Sequence, residues 1–382
     1  MRVLVLGCGR IGSAAAEDFA KSLSNVNVVV ADVNPSKAKQ TAERIGRANV
    51  SWMRLDAGEM GELVEALKGF DLALGFLPPA FGFRLMKACI QAGKSLVDVS
   101  YISENPLTLH GEALKAGITL VPHCGLAPGI SNILVGRAVA EFDVVEKVHI
   151  FVGGLPDKPI PPIGYTITWS PESLIEEYTS KARIVENGRM VEVEALSGLE
   201  TVEFPGIGVL EAFYTDGLRT LLYTVKDVRE MWEKTLRYPG HAEKMMLLRD
   251  LGFFSSEEIA VDGFRLQPRK FTAKIFERRL YNPMVKDVVA LKVEVYGYEK
   301  GFKTRRTYTL VDFYDKKNGV TAMARTTGYT ASIVAKLVLE GVIRLKGIVP
   351  PEQLGMEEDI FRRIMAELSA RGIQIVKETF SK

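Results

Sequence analysis

The segment Gly7-Cys8-Gly9-Arg10-Ile11-Gly12 spaces three glycines as a turn must when it brings main-chain amides up to a diphosphate. An apolar run at residues 3–6 precedes it and an Ala-rich amphipathic stretch follows, the strand–turn–helix setting in which the pattern carries meaning. Gly7 allows the tight turn, Gly9 lets the backbone approach a pyrophosphate, and Gly12 lets helix pack on strand. Arg10 and Ile11 contribute the first amides of the helix, whose N-terminus favours negative charge. A second apolar run ends in Asp32, 20 positions after Gly12. A carboxylate there accepts both ribose hydroxyls and repels a 2′-phosphate, and no arginine follows within the next few residues, so the expected cofactor is NAD rather than NADP. Val33 lies beside it. Asp56 and Ala57, just past a third apolar run, border the adenine; the alternative for Asp56 is a helix N-cap. Pro78 and Ser100 fall past the fourth and fifth runs, where ligands collect in open α/β sheets.

Those residues need a parallel sheet to position them. Short apolar runs at 2–6, 26–31, 49–54, 71–75, 95–98 and 118–121 alternate with amphipathic stretches, which predicts repeated βα units. The expected fold class is α/β, a Rossmann doubly wound parallel sheet with an inserted α+β catalytic domain. Residues 1–123 form the expected NAD-binding domain, completed by about 326–382; residues 124–325 form the expected substrate-binding and oligomerisation domain. In the latter, strands are expected at 148–152, 165–169, 288–298 and 304–315. Helices are expected at 331–345 and 357–370, with a strand-like run at 373–376.

Composition narrows the partners. With 25% charged residues of interspersed sign and a net charge of +2 over 382 residues, nothing resembles a phosphate-tracking stripe, so no nucleic-acid partner is expected. No apolar stretch approaches the roughly 20 residues that span a bilayer, so no membrane partner is expected and the protein reads as cytoplasmic. Cys8, Cys89 and Cys124 are odd in number and far apart, which predicts buried thiols and no metal site.

Four further segments carry a resemblance: His123-Cys124-Gly125-Leu126-Ala127-Pro128-Gly129-Ile130, Val152-Gly153-Gly154-Leu155-Pro156, Thr168-Trp169-Ser170-Pro171, and Leu236-Arg237-Tyr238-Pro239-Gly240-His241-Ala242-Glu243-Lys244. Together they resemble the saccharopine dehydrogenase-like family, and within it the lysine 6-dehydrogenase branch. The resemblance implies a small-molecule amino-acid substrate, a homodimer and oxidative deamination of a terminal amine, lysine giving 2-aminoadipate 6-semialdehyde, ammonia and NADH. Rival readings are glutamate-forming saccharopine cleavage and a carboxy-polyamine synthase-type reductase. In glutamate-forming members the positions of Ala127 and Val152 carry Asp and Cys; their absence implies a smaller substrate.

Amine oxidation needs a base, or a desolvated pocket, to reach the neutral amine. His241, in the Tyr-Pro-Gly-His segment, is the first candidate, with a satisfied structural imidazole as the alternative. Asp98, at a strand end, is either a base or a buried hydrogen-bond anchor. Tyr101 either donates to the reacting nitrogen or packs, while His123 lines the cofactor cleft. For the substrate carboxylate the resemblance points to Arg219, with a surface salt bridge as the alternative and Arg237 as the second choice. Glu211 and Glu243 are candidates for the α-ammonium.

Overall fold

The computed structural model describes residues 1–167, 170–282 and 284–382, so the expected strand at 165–169 and the Thr168-Trp169 motif lie partly outside the described residues. The chain divides into two compact units: Met1–Glu141 with Met323–Gln374, and Phe142–Ala322 with Ile375–Lys382.

The first unit is built on seven parallel strands in the order Gly347–Ile348, Thr119–Val121, Ser95–Asp98, Leu72–Gly75, Arg2–Leu6, Asn27–Asp32, Val50–Arg54. The central strands are fully apolar because helices cover both faces, as parallel sheets require. Val3, Leu4, Val5, Val28, Val30, Ala73 and Leu74 are all 0% exposed. Strand order reverses beside Arg2–Leu6, so the crevice at the carboxyl ends of Arg2–Leu6 and Leu72–Gly75 is the switch point of the sheet. The seventh strand, Gly347–Ile348, is an addition to the six expected. Two residues are too few to show a periodicity; pairing with Thr119 and Leu120 defines them.

Three boundaries differ from expectation. Helix Ile130–Glu141 belongs to the first unit, because it packs on helix Pro351–Met356 at backbone contact: a Cβ on Gly136 would lie 1.9 Å from the Glu352 carbonyl oxygen. The expected helix at 331–345 is Thr330–Leu339, ended by Gly341 at φ 70° and preceded by one π-helical stretch, Arg325–Tyr329. That stretch presses Gly328 onto helix Arg10–Ser22, a Cβ there meeting the Ile11 carbonyl at 3.0 Å. Finally, the chain end Ile375–Ser381 pairs antiparallel with Phe302–Phe313 and so completes the second unit rather than the first.

The close approach of the two helices gives a stability test. Gly136→Ala is expected to cost at least about 1–3 kcal/mol, since the contacted atom is backbone and cannot swing aside. The midpoint of urea unfolding reads it.

The second unit is a mixed sheet ordered Glu200–Phe204, Gly208–Thr215, Glu230–Arg237, Val144–Pro156, Asp287–Glu299, Phe302–Phe313, Ile375–Ser381, with the hairpin Ala182–Glu186 and Arg189–Val193 joined to Glu230–Arg237. Apart from the parallel pair Val144–Pro156 and Glu230–Arg237, its neighbours are antiparallel. No helix among the described residues is long and apolar enough to cross a membrane.

Candidate functional site

In the first unit the glycine turn has the geometry of a dinucleotide cradle. Gly7 sits at φ 100°, and a Cβ there would lie 2.4 Å from the Phe76 carbonyl oxygen. Gly12 is as constrained, its added Cβ falling 2.0 Å from the Gly7 carbonyl oxygen. Gly9 differs from both: at φ −74° and ψ −177° it has ordinary extended backbone, and a Cβ would meet nothing within 4 Å. The protein therefore gives no packing reason for glycine at position 9. Gly9 is also the N-cap of helix Arg10–Ser22, with no side-chain cap and no acid in the first turn, so this open, electropositive helix end fits a diphosphate.

Asp32 ends its strand beside that turn. One carboxylate oxygen accepts the Cys8 N–H at 2.9 Å and the other accepts the Asn34 N–H at 2.9 Å, which fixes the carboxylate at the mouth of the turn. Val33 next to it is 55% exposed. Asp56 accepts the Gly58 N–H at 2.8 Å, an Asx turn that precedes a helix whose N-cap is Glu59, so the N-cap alternative for Asp56 does not hold. Ala57 is buried, whereas Pro78, the residue before helix Pro79–Ala92, is exposed.

Past the fifth strand, Asp98 takes the anchor alternative. It is fully buried against Gly75, where a Cβ would come within 2.1 Å of the carboxylate, and it accepts the Ser100 N–H at 3.1 Å and hydroxyl at 2.9 Å. Ser100 is thereby occupied as well, since its hydroxyl lies also 3.2 Å from the Leu77 carbonyl. His123, at φ 53°, is held by Nδ1 on the Ser100 carbonyl at 3.0 Å. Tyr101 is half-buried. Burial pushes the Asp98 carboxyl up to about 7, against the pull of the Ser100 hydrogen bonds. Burial likewise raises the three thiols, that of Cys8 to about 11, so none is a ready nucleophile.

A pH effect on stability follows. An unfolded Asp ionises near 3.9, while folded Asp98 keeps its proton to about 7; the folded state holds the extra proton across that window, so stability falls as pH rises through it. Asp98→Asn is expected to lose this slope. Thermal melting compared between about pH 4 and pH 8 reads the difference.

In the second unit His241 opens helix His241–Asp250 after Gly240, which is left-handed at φ 84°. It is 1% exposed. Nδ1 lies 2.8 Å from the Ile163 carbonyl and Nε2 lies 2.8 Å from the Tyr178 hydroxyl. Burial and then the Arg237 charge push its pKa down to about 3. A neutral ring whose Nδ1–H donates to Ile163 and whose Nε2 accepts from Tyr178 has no free lone pair, so the structural alternative replaces the expected base. Arg237 is spent in the same chain. Its Nε donates to the Tyr178 hydroxyl at 3.3 Å, Nη1 to the Leu236 carbonyl at 2.9 Å, and Nη2 to both oxygens of Glu177, the nearer at 2.9 Å; the guanidinium lies 4.6 Å from the Tyr165 ring centre. Glu211 accepts the N–H groups of Gly240 and Ala242 and so ties down the start of the same helix rather than facing a ligand. Glu243 is exposed.

Arg219 has a different setting. It is 8% exposed, held at φ 48°, and pairs with Asp216 at 3.3 Å, while Arg183 grips Asp216 through Nε at 2.9 Å and Nη2 at 2.8 Å. A non-glycine residue at positive φ is strain of the kind that collects at ligand sites. Glu233, a residue the sequence reading passed over, stands in the same cluster: it is 4% exposed, and one oxygen rests so close to Gly217 that a Cβ there would be 1.4 Å away. The sequence did hold a signal. Glu233 and Lys234 are adjacent charges inside a strand, and period-two alternation sends one to each face, so both cannot be solvated on a sheet with a covered side.

Two family models together cover most of the chain. Residues 3–121 match the Saccharopine dehydrogenase NADP binding domain family and residues 125–373 the Saccharopine dehydrogenase C-terminal domain family. The chain is 26% identical to the alpha-aminoadipic semialdehyde synthase of Arabidopsis thaliana over 98% of its own length, but spans only 44% of that protein. It is 23% identical to the Schizosaccharomyces pombe protein named saccharopine dehydrogenase [NADP(+), L-glutamate-forming], covering 98% of both chains. In fold it is similar to the apo saccharopine dehydrogenase (L-Glu forming) of Saccharomyces cerevisiae, with a TM-score of 0.81, 24% identity and 99% of each chain covered.

Proposed function

The chain belongs to the saccharopine dehydrogenase family, oxidoreductases that take a pyridine-nucleotide cofactor, and from that premise we propose that it catalyses NAD-dependent oxidative deamination of the terminal amine of L-lysine. The observation that carries this reading is the pair Ala127 and Val152, apolar where the glutamate-forming pattern is polar, with Val152 8% exposed. A site without those polar groups suits a substrate smaller than saccharopine, with fewer carboxylates to hold.

NAD is preferred to NADP on the placement of Asp32, although the S. pombe relative is named for NADP(+). Held by the amides of Gly7 to Gly12 and by Asp32, the nicotinamide nucleotide supplies the hydride acceptor. The chain's own residues bind and orient. Arg219 takes the α-carboxylate, while His241 and Asp98 are held by hydrogen bonds within their own units. Reaction needs the neutral amine; with a pKa near 10.4 its population at pH 7 costs about 4.6 kcal/mol, so the rate is expected to climb with pH. A homodimer belongs to the same reading, and sedimentation velocity reads it.

The test is NADH formation from NAD or NADP with lysine or saccharopine, from neutral to alkaline pH. Turnover with NAD and lysine that rises with pH is expected. Turnover with NADP and saccharopine alone would replace this reading by the glutamate-forming one.

A further inference from the structure

The Glu233 carboxyl lies in the field of Arg219 but outside the hydrogen-bond network described for the second unit. Strand pairing sets it opposite Thr215, immediately before the turn Asp216-Gly217-Leu218-Arg219. Lys234, next in the chain, points the other way and is fully engaged with Glu200 and the Gly198 carbonyl. Glu233 makes no such bond: its Oε2 is buried with no hydrogen-bond partner among the described residues. An orphaned buried carboxyl oxygen is costly, and its persistence calls for a missing donor. Gly217 accommodates it, since any side chain there would overlap the carboxyl.

We propose that Glu233 is a specificity-determining residue whose Oε2 accepts a hydrogen bond from the α-ammonium of an amino-acid substrate, with Arg219 beside it on the α-carboxylate. The inference rests on the amine-dehydrogenase reading for its substrate but not for its chemistry, which needs only an α-amino-acid head group. Solvent reaches the Asp216–Arg219 pair, whose side chains are 14% and 9% exposed. A substrate carboxylate can take over Arg219 because Asp216 keeps its two-pronged bond to Arg183. The ammonium next to that carboxylate then meets Glu233 Oε2, a buried carboxyl oxygen that lacks a donor among the described residues. Burial raises the Glu233 carboxyl to about 8, while Arg219 pulls it down. An incoming ammonium acts in the same direction as Arg219, so binding and ionisation of Glu233 support each other.

The experiment uses the full chain and calorimetric titration with L-lysine, L-norleucine, which keeps the head group but lacks the terminal amine, and ε-aminocaproate, which lacks the α-ammonium. The wild type is expected to bind lysine and norleucine about tenfold to a hundredfold more tightly than ε-aminocaproate, the worth of one hydrogen bond to a charged group. Glu233→Gln is expected to lose that discrimination, raising the KM for lysine while leaving kcat within about threefold. Glu233→Asp, which keeps the charge but withdraws it, is expected to fall between and serves if the Gln variant does not fold. A wild type that binds ε-aminocaproate as well as norleucine overturns the proposal, as does a folded variant that keeps full discrimination. Discrimination without lysine turnover sinks the deamination reading alone; lysine turnover without discrimination sinks the Glu233 assignment alone.

Discussion

With valine in place of Gly9 the protein is expected to melt where the wild type does and to lose at least about a hundredfold in affinity for NADH, or about 2.7 kcal/mol. The expectation comes from the contrast among three glycines of one motif. Gly7 and Gly12 are glycine for the fold's own sake, since side chains there would strike the carbonyl oxygens of Phe76 and Gly7. Gly9 has extended backbone and empty space, so a side chain costs the free protein no more than the loss of a tolerated N-cap, under about 1 kcal/mol. That space is where a diphosphate must approach the amides, and a branched side chain fills it. Gly12→Ala is the control, expected to lower stability first and affinity as a consequence. Thermal melting with fluorescence titration separates the two. Unchanged NADH affinity in Gly9→Val would mean that the nucleotide lies elsewhere.

The largest expected loss of stability is at Arg237. Its guanidinium is 3% exposed and organises Glu177, Tyr178, the Leu236 carbonyl and, through Tyr178, His241. Arg237→Met leaves Glu177 as a nearly buried charge without its partner and removes the donor that orders the Tyr178 hydroxyl, at a cost of about 3–5 kcal/mol. Adding Glu177→Gln is expected to recover part of the loss, because the stranded charge then disappears. Urea unfolding of the two single variants and the double variant measures the coupling. Equal stability of wild type and Arg237→Met would show the ion pair to be solvated, and the chain that keeps His241 neutral would have no support.

The legible part of the sequence is the part governed by near neighbours. Six of the seven parallel strands, the glycine turn and Asp32 are all fixed by alternation and spacing within a few tens of residues. Where a partner far along the chain decides, the sequence is silent. Gly347–Ile348 is a strand only because Thr119 and Leu120 lie beside it. Polar residues show the same limit. His241 at a helix start looks identical whether its ring faces a substrate or the Ile163 carbonyl, and Glu211 looks identical whether it faces an ammonium or two amides of a helix start. The N-cap offered as the alternative for Asp56 lies three residues on, at Glu59, for a local reason, since Asx turns and N-caps share the same residue types.

Lysine carrying a heavy-nitrogen label on its terminal amine, incubated with NAD and the intact protein, tests the central claim most directly. Labelled ammonium appearing mole for mole with NADH is the predicted result. NADH formed only from saccharopine, with glutamate rather than ammonium as the nitrogen product, would contradict it.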